Sequence, residues 1–299
     1  MKRQGHESRM HERYLRHSKK FPNIWCAGCG IGIVMGVIIR AVDSLQIDKN
    51  DVALVSGIGC AGRMPVYVDF NTMHTTHGRA LAFATGLKAV RPDMKVIVVM
   101  GDGDALAIGG NHFIHTARRN VGLTAIVVNN LTYGMTGGQY SPTTPLGAWA
   151  TTAPYGHIEA PFPIAEMAVA AGAAFVARST VYHTKELEKV VAQAIEKKGF
   201  GMVEAVSYCH TTLGRTNRWG TATDMMRRLK EQSVTLKRAE GMGEEEKRGK
   251  IVRGVFVDRD IPEYTRLYEQ VIERAQAGIR SSGPSSQRGE GEGSDGKAL

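Results

Sequence analysis

The stretch that decides the fold is Lys95-Val-Ile-Val-Val-Met-Gly-Asp-Gly103, answered one strand later by Leu123 to Val128 and the pair Asn129-Asn130. Lys95 to Met100 is an apolar run that reads as a buried strand, and it delivers Asp102 into a glycine-flanked loop. A helical stretch from about Ala107 to Asn120 follows. The second apolar run then returns Asn130 to the same edge of a parallel sheet. Open α/β sheets bind their ligands at that edge, outside the carboxyl ends of the strands. Asp102 and Asn130 offer hard oxygens of the type Mg²⁺ prefers, and Mg²⁺ commonly shares its shell with phosphates. Gly101 and Gly103 allow the backbone to approach a diphosphate closely and to take positive φ.

An Asp in a Gly-Asp-Gly trio alone is most often turn chemistry. The Asn at the end of the next strand changes its weight, and the arrangement resembles the thiamine diphosphate (TPP) motif. A second glycine pattern, Gly57-Ile58-Gly59-Cys60-Ala61-Gly62, fits G-x-G-x-x-G after the apolar strand Val52 to Val55. A dinucleotide site wants an acid about 20 residues further on. None occurs between Asp69 and Asp93, so a nicotinamide site is rejected.

The chain has four cysteines: Cys26, Cys29, Cys60 and Cys209. A CxxC pair with two remote single cysteines suits a Cys₄ zinc site or an iron–sulfur cluster. Zinc ribbons usually bring two CxxC knuckles, so the single knuckle favours a [4Fe–4S] cube without deciding it. A disulfide reading needs an oxidising compartment, to which nothing points. Cys209, at the end of an apolar strand, also reads as ordinary core packing.

The chain resembles the β subunits of archaeal and bacterial 2-oxoacid:ferredoxin oxidoreductases, most of all those of methanogen-type 2-oxoglutarate synthases. The runs that carry the resemblance are Trp25-Cys-Ala-Gly-Cys-Gly, Gly57-Ile-Gly-Cys60, His74-Thr-Thr-His-Gly-Arg79, Gly101-Asp-Gly-Asp-Ala-Leu-Ala-Ile-Gly-Gly-Asn-His112 and Tyr133-Gly-Met-Thr-Gly-Gly-Gln-Tyr-Ser-Pro-Thr-Thr144. The resemblance implies a doubly wound α/β fold that binds the diphosphate half of TPP. It implies Mg²⁺ on Asp102, Asn130 and the Thr132 carbonyl, and one [4Fe–4S] cluster on Cys26, Cys29, Cys60 and Cys209. Implied cofactor contacts are Gly101, Asp102, Gly103, Asn130, Thr132, Cys29 and His77. The implied reaction is oxidative decarboxylation of a 2-oxoacid, with the acyl group passed to coenzyme A and electrons to ferredoxin. Its activating Glu comes from a partner α subunit, so the isolated chain is expected to be inactive; γ and δ subunits are further candidate partners. Gly137 departs from relatives that carry Lys there, so a distal substrate carboxylate needs another cation, from the partner or from Arg63. Branched-chain 2-oxoacids and pyruvate are the alternative substrates. A non-oxidative TPP decarboxylase or synthase subunit, which needs no cysteines, and a zinc-stabilised assembly subunit are the alternative functions.

The remaining sequence sets the frame. Helical stretches (32–45, 78–90, 107–120, 163–171 and 185–197) alternate with short apolar strands, as βαβ units do. Residues 131–160 are rich in Gly, Pro and Thr, and their place after Asn130 marks them as a wall of the site. The expected organisation is a basic arm at 1–20, a TPP- and cluster-binding α/β domain at 21–220, a charged, partly helical extension at 221–280 and a disordered tail at 281–299. The formal charge of +9 is concentrated: 1–20 and 210–253 each carry +5, leaving the remainder near neutral. Without a nucleic-acid reader motif, a basic face suits an acidic ferredoxin better than nucleic acid. No apolar run reaches the roughly 18 residues of a membrane span, and 1–20 lack a secretory core. A cytoplasmic protein is expected. His74, Arg79, His112 and His115 are weaker candidates, since lone histidines are more often structural.

Overall fold

The computed structural model describes residue 10, residues 12–19 and residues 22–277. Its centre is an eight-stranded sheet in the order β2-β1-β3-β4-β6-β5-β8-β7. The strands are β1 (Val52–Ser56), β2 (Asn71–His74), β3 (Lys95–Gly101), β4 (Thr124–Asn129), β5 (Phe175–Thr180), β6 (Gly201–Val206), β7 (Ser233–Thr235) and β8 (Ile251–Asp258). The first six pair in parallel, whereas β8 lies antiparallel to β5.

Strand residues alternate between two cores, as the two-residue period of a strand demands. Ile97 and Val99 of β3 join a core formed with α1 (Ile31–Ser44) on one face. Val96, Val98 and Met100 join the other core, formed with α2 (Ala80–Val90). Both faces are therefore covered, which is why these strands read as continuous apolar runs. This is the doubly wound fold expected.

Several local readings are corrected. The helix expected at 107–120 is α4 (Gly110–Arg119), and a separate helical turn, α3 (Asp102–Leu106), precedes it. Ala107 to Gly109 separate them, and Asp102 opens a helical turn instead of sitting in a loop. The short edge strand β2 was not expected; its residues are half-exposed and carry no apolar alternation. In the extension, β8 adds to the sheet as a strand, interrupted in pattern by Arg253 and Gly254. In the basic arm, Tyr14 and Leu15 are core residues, and Tyr14 Oη donates to Asp43 Oδ1 at 2.9 Å. The tail assigned to 281–299 lies outside the described residues. Among the described residues no helix is long and apolar enough to cross a membrane.

Behind the ligand edge, Glu204 in β6 accepts from Asn129 Nδ2 at 2.9 Å and from Arg178 Nε at 2.6 Å. Arg178 also reaches Glu166 at 2.8 Å. Glu204→Ala strands a mostly buried guanidinium, because Glu166 is half-exposed and a weaker partner. The expected loss is about 3 kcal/mol of stability, read by urea denaturation. A loss under half of that would show that Glu166 alone satisfies Arg178.

Candidate active site

Strand order places the site. From β1 the chain crosses to β2 on one side and then to β3 on the other, so the sheet's winding switches between β1 and β3. The crevice at such a switch point is the usual ligand position. Here the segments leaving β1 and β3 line a cleft of about 120 Å³. Ile58, Gly59 and Cys60 come from the first segment, and Gly101, Asp102, Gly103 and Asp104 from the second. Asn130, Thr132 and residues 133–136 close it from the β4 side. A larger cleft of about 690 Å³ opens near the amino-terminal end of β3 and β4 against the C-terminal helix. It is lined mainly by Lys, Arg and Glu side chains and contains none of the candidate residues, so its size does not make it the site.

Asp102 is buried at the floor. Its Oδ2 accepts from Ser141 Oγ and, at 2.6 Å, from Thr143 Oγ1. Burial pushes its carboxyl above the ordinary Asp range, against the lowering effect of the Ser141 and Thr143 hydroxyls. A buried carboxylate held ready by two hydroxyls is short of positive charge, which a bound cation supplies. Asn130 and Thr132 line the same cleft, and Thr132 is fixed by its Oγ1 donating to the Gln139 carbonyl at 2.8 Å. Asn129 faces away, to Glu204. Neither Gly101 nor Gly103 takes positive φ. Gly103 serves contact instead: a Cβ there would stand 2.2 Å from the Tyr133 ring.

The structure brings the four cysteines into one neighbourhood. Burial pushes the Cys29 and Cys60 thiols up to about 11, and Cys209 and Cys26 add to each shift. Cys26 and Cys209 approach the same hydroxyl, Thr211 Oγ1, at 3.5 and 3.6 Å. A Cβ at Gly134 would stand 3.2 Å from Cys209 Sγ and 3.7 Å from Cys60 Sγ. Among the described residues no three His, Cys, Asp or Glu side chains form a group able to hold a metal ion. A single zinc demands that donors converge at about 2.3 Å on one point. A cube takes each thiolate on a different iron, so its donors stand farther apart. Four thiols in one neighbourhood are the donor set such a cube takes. Mg²⁺ likewise needs few protein ligands, since waters and phosphates complete its shell.

His77 and Cys60 line the cleft, whereas Arg63, in the short 3₁₀ helix Ala61–Val66, does not. His74 is bound to Ser56 Oγ at 2.9 Å, Arg79 donates to the Ile108 carbonyl at 2.8 Å, and His112 and His115 also lie off the cleft. Sequence reasoning missed Ser141, Thr143 and Asp104. Asp104 was legible as a second acid two residues after Asp102, but nothing local says that Asp102 meets Ser141 and Thr143 while Asp104 meets His77. The glycine pattern rejected as a dinucleotide site supplies the cleft's β1 wall.

Comparison with known proteins agrees with this geometry. Residues 57–205 match the thiamine pyrophosphate enzyme C-terminal TPP binding domain. The chain is 50% identical over 265 residues to the 2-oxoglutarate synthase subunit KorB of Methanocaldococcus jannaschii, covering 89% of this chain and 98% of that one. The chain belongs to the 2-oxoacid:ferredoxin oxidoreductase β-subunit family. Within that family it is of the archaeal 2-oxoglutarate synthase type. The Archaeoglobus fulgidus KorB is 57% identical over 198 residues, 66% of this chain and 73% of that one. A solved 2-oxoglutarate:ferredoxin oxidoreductase from Magnetococcus marinus, with 2-oxoglutarate, coenzyme A and succinyl-CoA bound, superposes with a TM-score of 0.78 at 34% identity, over 92% of each chain. As a member of this β-subunit family, the protein is part of an oxidoreductase and carries a TPP-binding domain.

Proposed function

We propose that this chain is the β subunit of a 2-oxoglutarate:ferredoxin oxidoreductase, which converts 2-oxoglutarate and coenzyme A reversibly to succinyl-CoA and CO₂. The observation that carries the reading is the junction at Cys60. Cys60 lines the TPP cleft and also belongs to the cysteine neighbourhood, with Gly134 passing close to Cys60, Cys209 and Asn130. A non-oxidative TPP enzyme has no use for a set of four thiols beside its cofactor, and a zinc-stabilised assembly subunit has no use for the Asp102 cleft.

Asp102, Asn130 and the Thr132 carbonyl hold Mg²⁺ and through it the diphosphate, with Gly101 and Gly103 beside them. Cys26, Cys29, Cys60 and Cys209 hold a [4Fe–4S] cluster. When bound, TPP would supply the nucleophilic carbon for a 2-oxoacid and the cluster would accept electrons one at a time. Ser141 and Thr143 orient Asp102 for its cation, and Tyr133 packs against Gly103 to shape the wall. The loop over the cleft exposes Met135, Leu146, Trp149, Tyr155 and Ile158. Exposed apolar residues gathered on one loop mark a protein contact. The α subunit, which brings the activating Glu, is the partner proposed for them. Ferredoxin and any γ or δ subunits dock elsewhere, the basic segments being the complementary surface for an acidic carrier.

Gly137 leaves the distal carboxylate of 2-oxoglutarate without a cation from the 133–144 run. A buried carboxylate without one is costly, so a partner Arg or Lys, or Arg63 after assembly, meets it. The test is kcat/KM on the assembled complex for 2-oxoglutarate, 2-oxoisovalerate and pyruvate, with coenzyme A and ferredoxin present. 2-Oxoglutarate is expected to lead by at least about 10-fold, since hydrogen bonds to charged groups are worth about 1.5–3 kcal/mol. A preference for either monocarboxylate would overturn the substrate while leaving the cofactor assignments intact.

A further inference from the structure

The cleft contains a pair that neither metal binding nor cluster binding uses. His77 Nδ1 lies 2.5 Å from Asp104 Oδ1, and the Gly78 N–H donates to the same oxygen at 2.6 Å. The fold makes room for this carboxylate at some cost. A Cβ at Gly57 would stand 1.8 Å from Asp104 Oδ2, and Gly78 sits at φ +71° to aim its N–H. Asp104 Oδ2 itself is buried with no hydrogen-bond partner among the described residues. The two members differ in position: the Asp104 side chain is 1% exposed, whereas His77 is 35% exposed and lines the cleft. The imidazole also meets the Tyr133 ring edge-on, with centroids 6.2 Å apart.

A histidine whose Nδ1–H donates to a carboxylate has its tautomer and ring orientation fixed, and its Nε2 is directed to the other side. Here only the anchor is buried, and the ring opens on the cleft. We propose that Asp104 is a positioning residue that holds His77 so that Nε2 hydrogen-bonds an anionic oxygen of the molecule filling the cleft. Two such oxygens are available on the reading given above, on which this inference rests: one on the TPP diphosphate and one on the 2-oxoacid carboxylate.

The experiment uses the assembled complex with His77→Ala, Asp104→Ala, Asp104→Asn and the double variant His77→Ala/Asp104→Ala. TPP affinity is measured by calorimetry with Mg²⁺, and KM and kcat are measured for 2-oxoglutarate. If the oxygen belongs to the diphosphate, His77→Ala weakens TPP binding about 10-fold or more. If it belongs to the substrate, TPP affinity holds and KM rises, or kcat falls, by a similar factor. Asp104→Ala moves the same parameter in the same direction. Asp104→Asn, which keeps an acceptor for Nδ1–H, recovers most of the loss, and the double variant is no worse than His77→Ala. Unchanged affinity and kinetics in His77→Ala would overturn the proposal. So would Asp104→Ala losses that add in full to those of His77→Ala, because the acid would then act independently of the ring. Should Asp104→Ala fail to fold, Asp104→Asn decides: losses larger than those of His77→Ala overturn the proposal, and near-normal function supports it. Wild-type complex that binds no TPP would refute the cofactor reading instead.

Discussion

Asp102→Asn is expected to abolish Mg²⁺-dependent TPP binding, weakening it by at least about 30-fold, the effect of removing one member of a buried charge pair. The geometry leaves few substitutes. Asp102 is the buried acid at the cleft floor, with its Oδ2 already engaged by Ser141 and Thr143. Stability should move the other way. Desolvation raises the Asp102 carboxyl above its ordinary value, outweighing the Ser141 and Thr143 hydrogen bonds. A group raised in the fold contributes stability that is present below its unfolded pKa and lost as pH rises through the folded one. Above the ordinary Asp range the metal-free wild type therefore carries the cost of burying Asp102, and the Asn variant does not. Thermal unfolding without Mg²⁺ should show a Tm for the variant equal to or above that of the wild type. Mg²⁺ with TPP should raise the Tm of the wild type alone, as any ligand of the native state does. Undiminished TPP affinity in calorimetry would remove Asp102 from the metal.

Cys209→Ser should abolish the cluster, with iron and sulfide content and cluster absorbance falling to background while TPP binding persists. Cys209 lies 149 residues beyond Cys60 in the chain and had the strongest claim to be mere core packing. Its thiol, however, stands 2.9 Å from Thr212 Oγ1 and contributes to the raised pKa of both Cys29 and Cys60. Those two thiols, pushed up to about 11, are protonated at neutral pH in the metal-free fold. Cluster assembly must displace their protons, so reconstitution should become more favourable as pH rises. Full iron and unchanged absorbance in Cys209→Ser would end the four-ligand reading.

The strands that carry the site were legible because both faces of the sheet are covered. β1, β3, β4 and β6 are almost wholly buried, so the first three appear as apolar runs and β6 as a run broken only by Glu204. β2 was not legible, since an edge strand of half-exposed residues has no pattern to detect. β8 was hidden by Arg253 and Gly254 within it, and only its pairing with β5 explains how a charged segment becomes a strand. The helical turn α3 was not legible, because Gly101 and Gly103 around Asp102 read as loop residues.

By itself the sequence determined the TPP-binding class and supplied the acid proposed for the metal and the thiols proposed for the cluster, because each depends on residue types at fixed places along the chain. Gly-Asp-Gly after a strand and Asn130 after the next must share an edge once the strands are parallel, and the observed register pairs Gly101 with Val128. What tertiary structure alone decided was which side chains from other segments meet there. Ser141 and Thr143 on Asp102, His77 on Asp104, and Gly134 beside Cys60 and Cys209 join segments separated by 27 or more residues. Such meetings are fixed by strand order and loop return, which no local period encodes. The two acids of Gly101-Asp-Gly-Asp104 show this most directly: identical in chemistry and two residues apart, they acquire different partners through the segments packed against each.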